Sequence, residues 1–359
     1  MTLTDVAAIR LISQQIAGSR FKTPKEMVGW MGAMQAQDYR MAKWAVGIRI
    51  PNATEKNIEA AIDSGKIIRT HLLRPTWHLV AADDIYWMLE LSAPRIKAAQ
   101  KSREKQLELT EKIFIKSNTI FEKALAGGKH LTRVEMLQEL AKVKIATDNN
   151  RSSYLLFNAE SEGIICSGKT KDKQITYALL NERVPENKKL NKDEALYRLA
   201  NKYFKSHCPA TLQDFTWWSG LSVSDAKHAL EIIKPGFISD KIGSGIYWFP
   251  DSFSIPKNYK ESAYLLPAFD EFLISYKDRT AALAFENHKK AFSNNGIFWP
   301  TLVVNGQVKG IWKRTFKKDK VIVTISFFGA PGKDIIGLVE KAAEKLGYFL
   351  GHEIEMIHQ

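Results

Sequence analysis

One helix-start signature occurs three times, and each time it opens onto the same order of elements. At Thr23-Pro24-Lys25-Glu26 a threonine precedes proline at the first helical position, and a glutamate three residues on can bond back to it. Thr132-Arg133-Val134-Glu135 repeats this box, and Thr211-Leu212-Gln213-Asp214 is a variant with a shorter acid. Around the second box, residues 115–126 pattern as a helix, and Thr132 starts another with Val134, Leu137, Leu140 and Ala141 on one face. A third helix from Ser152 to Ser161 turns Leu155, Leu156 and Ala159 inward, and Gly163 stops it. The strand Ile164-Ile165-Cys166, a polar turn over 167–173 and a returning strand Ile175-Thr176-Tyr177-Ala178 follow. Three helices and then a hairpin is the winged-helix plan, a helix-turn-helix variant that carries a β "wing".

The same order fits the segments before and after. Residues 5–17, 24–35 and 55–64 pattern as helices, with Gly65 ending the third, and Ile67–Arg74 and Trp77–Val80 as a hairpin. Residues 193–205, 211–218 and 222–233 pattern as helices, and the strands Phe237–Ile242 and Ile246–Phe249 flank a Gly243-Ser244-Gly245 turn. Beyond about residue 260 the pattern changes. Tyr264-Leu265-Leu266 reads as a buried strand, and Asn305-Gly306 joins Thr301–Val304 to Gln307–Trp312, a strong hairpin signal. Val321–Phe328 adds a strand, and a helix over about 333–346 follows Pro331-Gly332. The expected architecture is therefore α+β: three tandem winged-helix units at 1–110, 111–183 and 190–255, then a β-barrel-like domain at 260–359. The lysine-rich stretch 183–193 connects the second unit to the third.

Composition narrows the function. The 52 Lys and Arg against 39 Asp and Glu leave a net charge of +13, which suits a polyanionic partner, nucleic acid before membrane. Two cysteines exclude a disulfide scaffold and an all-cysteine zinc site, and no apolar run approaches the ~18 residues of a spanning helix. Met1–Val6 has neither a basic start nor a hydrophobic stretch, so a reducing cytoplasmic setting is expected. The eight histidines are scattered, and His71 and His78, seven apart, have no carboxylate or thiol at ligand spacing. Nor is there a Walker loop, a GxGxxG before a helix or a Gly-x-Ser-x-Gly elbow. No metal or cofactor is expected.

Four segments carry candidate chemistry. Gln35-Ala36-Gln37-Asp38 closes the apolar helix of Met27, Val28, Trp30, Met31 and Met34 and precedes Lys43-Trp44. These glutamines are either a solvated helix end or a pair of amides that orients water or holds a base edge. The hairpin Arg69–His78, with Arg69, His71, Arg74, Trp77 and His78, is either a wing with alternate residues exposed or a basic, stacking surface against a nucleic-acid backbone. Trp217-Trp218 suits a helix core. Lys313–Lys320 is a hairpin tip that can also contribute to a phosphate-binding face.

Gln35-Ala36-Gln37-Asp38, the hairpin Arg69–His78, the segments His207–Leu221 and Leu265–Arg279, and Gly310-Ile311-Trp312-Lys313-Arg314 together resemble the AlkZ/YcaQ-like winged-helix DNA glycosylases. The resemblance covers nearly the whole chain. It implies tandem winged helices, a C-terminal β-barrel-like domain, and excision of alkylated bases or unhooking of crosslinks. Gln35 and Gln37 match the Gln-x-Gln form of the family's catalytic motif, as opposed to Gln-x-Asp. Cys208 departs from the glycine expected before Pro-Ala-Thr, in a turn between helices. The DNA-contacting set expected beside the motif is Asp38, Lys43, Trp44, Arg69, His71, Arg74, His78, Lys277, Arg279, Lys313 and Arg314.

The chemistry suits those residues. A purine alkylated at N7 or N3 is already cationic, so the departing base needs no strong general acid. What remains is to place a water and stabilise an oxocarbenium-like sugar, work that neutral amide carbonyls can do. No lysine nucleophile is needed, so a monofunctional glycosylase acting as a monomer on double-stranded DNA is expected. The competing class is a non-catalytic winged-helix regulator, which would be sequence-selective, dimeric and release no base. A factor acting on RNA would instead prefer RNA to duplex DNA.

Overall fold

A computed structural model describes residues 1–186, 189–253 and 261–358. Residues 187 and 188 of the expected connector, 254 and 255 of the third expected unit, and 260 and 359 of the C-terminal domain therefore lie outside the described residues. The chain forms two compact units, one from Met1–Ile58 with Leu196–Gln359, the other from Glu59–Ala195. The larger unit begins with α1 (Leu3–Ser13), α2 (Pro24–Met31), β1 (Ala33–Gln35), α3 (Tyr39–Gly47) and the first turn of α4 (Glu55–Asp63), whose remainder belongs to the smaller unit. The box at Thr23 forms as expected, each residue bonding the other's amide at 3.1–3.3 Å. The helix expected over 24–35 is corrected: it stops at Met31, where Gly32 takes φ +80°, and the chain continues as β1. Residues 33–36 are all buried, a pattern that periodicity cannot separate from a helix core. The helix α3 was not foreseen. Asp38 caps it, its side chain accepting from the Met41 amide at 3.0 Å.

The smaller unit continues with β2 (Ile67–Leu72) and β3 (Thr76–Ala81), an antiparallel hairpin, then α5 (Ile85–Gln106), α6 (Glu111–Leu125), β4 (Leu131–Thr132), α7 (Arg133–Lys142), α8 (Arg151–Ser161), β5 (Ile165–Ser167), β6 (Thr176–Leu179) and α9 (Leu180–Arg183). Phe121, Leu125, Met136, Leu140, Leu155, Leu156 and Ile165 meet in one core, so three amphipathic helices close on a small sheet. The 22-residue α5 was missed, because Pro94 inside it reads as a helix breaker.

The Thr132 box has a pH consequence. The Glu135 carboxylate accepts from the Thr132 amide at 2.6 Å and pairs with Lys171 at 3.0 Å, and these contacts hold its pKa at about 2. A carboxyl depressed on folding stabilises the fold above its unfolded value and loses that stabilisation as pH falls towards the folded one. Glu135→Gln is therefore expected to melt lower than the unaltered protein at pH 6. That gap should close as the pH falls from about 4.5 to 2, read by circular dichroism melts.

The chain returns to the larger unit through α10 (Lys192–Ser206), then α11 (Leu212–Ser219), α12 (Val223–Ile233) and the hairpin β7 (Phe237–Ile242) with β8 (Gly245–Pro250). There follow β9 (Ala263–Leu266), α13 (Glu271–Ile274), α14 (His288–Ala291), β10 (Thr301–Val304), β11 (Gln307–Phe316), β12 (Lys320–Phe327), α15 (Lys333–Leu350) and β13 (Glu353–His358). The five strands order β13-β12-β11-β10-β9 in a sheet that curls as a half-barrel. The unforeseen β13 lies parallel to β12. Trp44 of α3 packs 4.9 Å from Phe349 of α15, and a Cβ on Gly47 would stand 2.3 Å from that phenyl ring. Only glycine lets the two helices approach so closely.

Candidate active site

Gln35 ends β1, and its setting is unlike that of a solvated helix end. The residue is only 6% exposed. Its amide donates to Glu271 Oε1 at 2.5 Å, while its own side-chain carbonyl, Oε1, is buried with no hydrogen-bond partner. Leaving a buried amide oxygen unpaired costs about 1–3 kcal/mol, and a catalytic role is one of the reasons a protein keeps such a group. Two residues on, Gln37 is exposed in the bend before α3, followed by the exposed cap Asp38. The two glutamines therefore occupy strand end and bend, which corrects the helical setting expected for them.

Behind this strand lies a buried polar lattice. Asp270 caps α13 by accepting from the Phe272 amide at 2.9 Å and takes two bonds of 2.8 Å from the Arg49 guanidinium. Arg49 spends its other donors on the carbonyls of Gln14 and Ala45 and on Gln14 Oε1, at 2.8–3.0 Å, so a fully buried cation is satisfied throughout. Gln14 passes its amide to Tyr276 and to the Glu271 carbonyl, and Tyr276 donates to the His207 carbonyl at 2.8 Å. Arg10 lies 3.5 Å over the Tyr276 ring and 3.6 Å from Asp214.

Glu271 is the anion nearest the motif. Burial alone would raise its pKa, but His207, the Ser275 hydroxyl and the Gln35 amide outweigh burial and hold it at about 2. His207 Nε2 is 3.8 Å from the carboxylate, ion-pair range but too long for a hydrogen bond. Burial lowers the His207 pKa, against the opposing pull of Glu271.

The expected DNA-contacting set divides on burial. Trp44 is 1% exposed and bonds the Leu265 carbonyl through its indole N–H at 2.7 Å, so it is a core residue. Lys43 is also buried, 2.8 Å from Glu55. Arg69 is buried with its guanidinium 3.8 Å over Trp77, and His78 is fully buried with Nδ1 at 2.9 Å from the Thr76 carbonyl. Trp44 and Lys43 on α3 and Arg69 and His78 on the hairpin are thus buried and engaged within the protein itself. His71 is half-buried, paired with Glu160 and 4.0 Å from Trp77, beside a cavity of about 220 Å³ that Arg133, Phe157 and Tyr177 also line. Burial raises the pKa of Glu160, opposed by His71. Arg74 is half-buried on the same hairpin.

In the larger unit, Lys277 is exposed 4.7 Å from the Trp217 ring, and Arg279 is half-buried beside Trp217, Phe292 and Phe298. Trp218 is core, as expected. Lys313 is exposed on β11, and the half-buried Arg314 interacts with Glu55, Asp38 and Arg40. Its pKa is lowered by burial, against the pull of both acids. One of those acids, Asp38, adjoins Gln37 in the chain. Glu271 was absent from the expected site. Its signals were two adjacent acids inside the apolar string Leu265–Ile274 and a place in the segment Leu265–Arg279 that carries the resemblance. Among the described residues, no group of three His, Cys, Asp or Glu side chains is placed to hold a metal ion, and no helix is long and apolar enough to cross a membrane.

Residues 28–349 match the family described as DNA glycosylase AlkZ-like. The fold superposes on the DNA glycosylase AlkZ of Streptomyces sahachiroi with a TM-score of 0.81 and 18% identity, covering 99% of this chain and 100% of that one. A stretch of 119 residues is 29% identical to DNA topoisomerase 2 of Plasmodium falciparum, which is 32% of this chain and 8% of that relative's length. So short a share carries no argument about function.

Proposed function

The chain belongs to the AlkZ-like family of DNA glycosylases, and on that premise we propose that Gln35 and Gln37 form its catalytic pair. The observation that carries this assignment is the buried, unpartnered carbonyl of Gln35, held on a clamped strand beside the exposed Gln37. The substrate is a cationic N-alkylated purine in double-stranded DNA, or a crosslink made by such alkylation. As the C1′–N bond breaks, its electron pair neutralises the departing base. Water adds to C1′ and loses a proton, leaving an abasic site. The carbonyl of Gln35 faces the developing sugar cation with the negative end of a fixed dipole, and Gln37, open to solvent, orients the water. No covalent enzyme adduct forms, so the strand is not cleaved.

The rest of the reading follows the same premise. Three tandem winged helices and the half-barrel are its DNA-binding parts, the protein works as a monomer at the nucleoid, and no cofactor takes part. Asp38, His71, Arg74, Lys277, Arg279, Lys313 and Arg314 remain as its DNA contacts. The test is incubation with methylated duplex DNA in EDTA, followed by alkali. Base release with cleavage at the resulting abasic sites supports the proposal. A sequence-selective dimer that releases no base would make the protein a DNA-binding regulator instead.

Charge reversal at Arg69 is a poor probe of the DNA face, because it would place a carboxylate in a packed cation–π contact. The β11–β12 tip is cleaner, since Lys313, Lys317 and Lys318 are all exposed. Neutralising these three is expected to lower the slope of log K against log salt by about one per lost phosphate contact. Single-turnover release at saturating enzyme should stay unchanged. Fluorescence anisotropy with undamaged duplex over a salt series measures the slope, and an unaltered slope would move the DNA face elsewhere.

A further inference from the structure

Glu271 lies outside the motif, 236 residues from Gln35 in sequence, yet makes the bond that fixes it. Its side chain is 1% exposed, one oxygen 2.5 Å from the Gln35 amide and the other on the Ser275 hydroxyl. A buried carboxylate is costly unless it is hydrogen-bonded, and one that ends on a main-chain N–H must recover that cost there. Nothing about core packing requires a charge at this place. Asp270 already caps α13 and already neutralises Arg49, so neither the helix nor the guanidinium needs Glu271. Besides Ser275 and His207, it contacts the residue whose side-chain carbonyl is left unpaired.

We propose that Glu271 is a positioning residue for base release, an anionic anchor that fixes the backbone of Gln35 so that its free carbonyl is held for the sugar cation. The inference rests on the catalytic assignment of Gln35. Ser275 holds the second carboxylate oxygen and so sets the angle of the anchor. Arg49, through Asp270, fixes the helix start from which Glu271 projects. A water-exposed amide would have to be ordered anew in each turnover, whereas an amide bonded to a buried anion is ordered beforehand. The anchor touches neither substrate nor water and acts only through Gln35.

Two measurements on the full chain test this. In the unaltered protein the Gln35 amide proton should resonate far downfield in a nitrogen–proton spectrum, as a short bond to an anion requires. It should move upfield in Glu271→Gln, which keeps the shape and removes the charge. The same variant should slow single-turnover release of 7-methylguanine by about 10- to 100-fold, the usual loss for a reacting group displaced by a fraction of an ångström to an ångström. Its affinity for duplex DNA should change less than about twofold, because phosphates dominate binding. Ser275→Ala keeps the charge but frees one oxygen, and should slow release by about three- to tenfold, which carries the test if Glu271→Gln fails to fold. A folded Glu271→Gln that releases base at the unaltered rate, or an ordinary Gln35 amide shift in the unaltered protein, would overturn the anchor while leaving the glycosylase assignment intact. An unaltered protein that releases no base from any methylated DNA overturns both together.

Discussion

Replacing Gln35 and Gln37 together by alanine is expected to cut single-turnover release of 7-methylguanine by about 100- to 1,000-fold, the range seen when a preorganised polar group facing transition-state charge is removed. The contribution is expected in the chemical step and not in affinity, because in the proposed role the amides face charge that develops only as the bond breaks. Duplex binding should therefore be unchanged. Gln37→Asp should keep partial activity, since a carboxylate can also hold a water. Gln35→Ala alone should also stabilise the fold slightly or leave it unchanged, because it deletes a buried oxygen that has no partner. Rapid-quench assays at saturating enzyme, paired with thermal melts, separate these effects. A folded double variant that works at the unaltered rate would return both glutamines to plain structure.

Arg49→Met should be the most damaging single change to stability. It leaves Asp270 buried and charged, together with the carbonyls of Gln14 and Ala45 and the Gln14 side chain, all of which lose a donor. Breaking a buried ion pair from one side costs about 3–5 kcal/mol. In a unit of this size that lowers the melting midpoint by roughly ten degrees. Adding Asp270→Asn removes the orphaned charge while keeping a good helix cap, so the double variant should recover a large part of the loss. Scanning calorimetry reads both. A double variant as unstable as the single would show that the loss comes from the guanidinium's carbonyl bonds and not from the ion pair.

Much of this fold could be read from local sequence where one element holds its own instructions. Thr132 with Glu135 starts α7, Gly163 follows α8 in a left-handed turn, and Asn305-Gly306 joins β10 to β11, each as expected. The misses share a different physics. The segment 33–36 has no alternation because both sides are buried, α3 follows a bend that looked like a helix end, and α5 runs through a proline. The site shows the same division. The spacing of Gln35 and Gln37 is visible in the string itself, but Glu271 matters only because the fold returns it to β1. Basic residues show a related limit. Arg69 and Lys43 look like phosphate ligands in a string, and only the packed structure shows Trp77 and Glu55 engaging them first.

That return of the chain also has a consequence during synthesis. The anchor of Gln35 is made 236 residues after Gln35 itself, and the partner of Arg49 is made 221 residues after Arg49. At about 5–20 residues per second, a ribosome takes roughly ten to fifty seconds to cover that gap. Throughout it, the glutamine strand exists without the carboxylate that orders it, while the inserted unit of Glu59–Ala195 is already complete in sequence. A nascent or prematurely terminated chain that stops before Asp270 thus carries both glutamines in an unassembled state. On the proposed anchoring, the site that excises the base, itself a source of a lesion in the genome, stays incomplete until translation has passed Glu271.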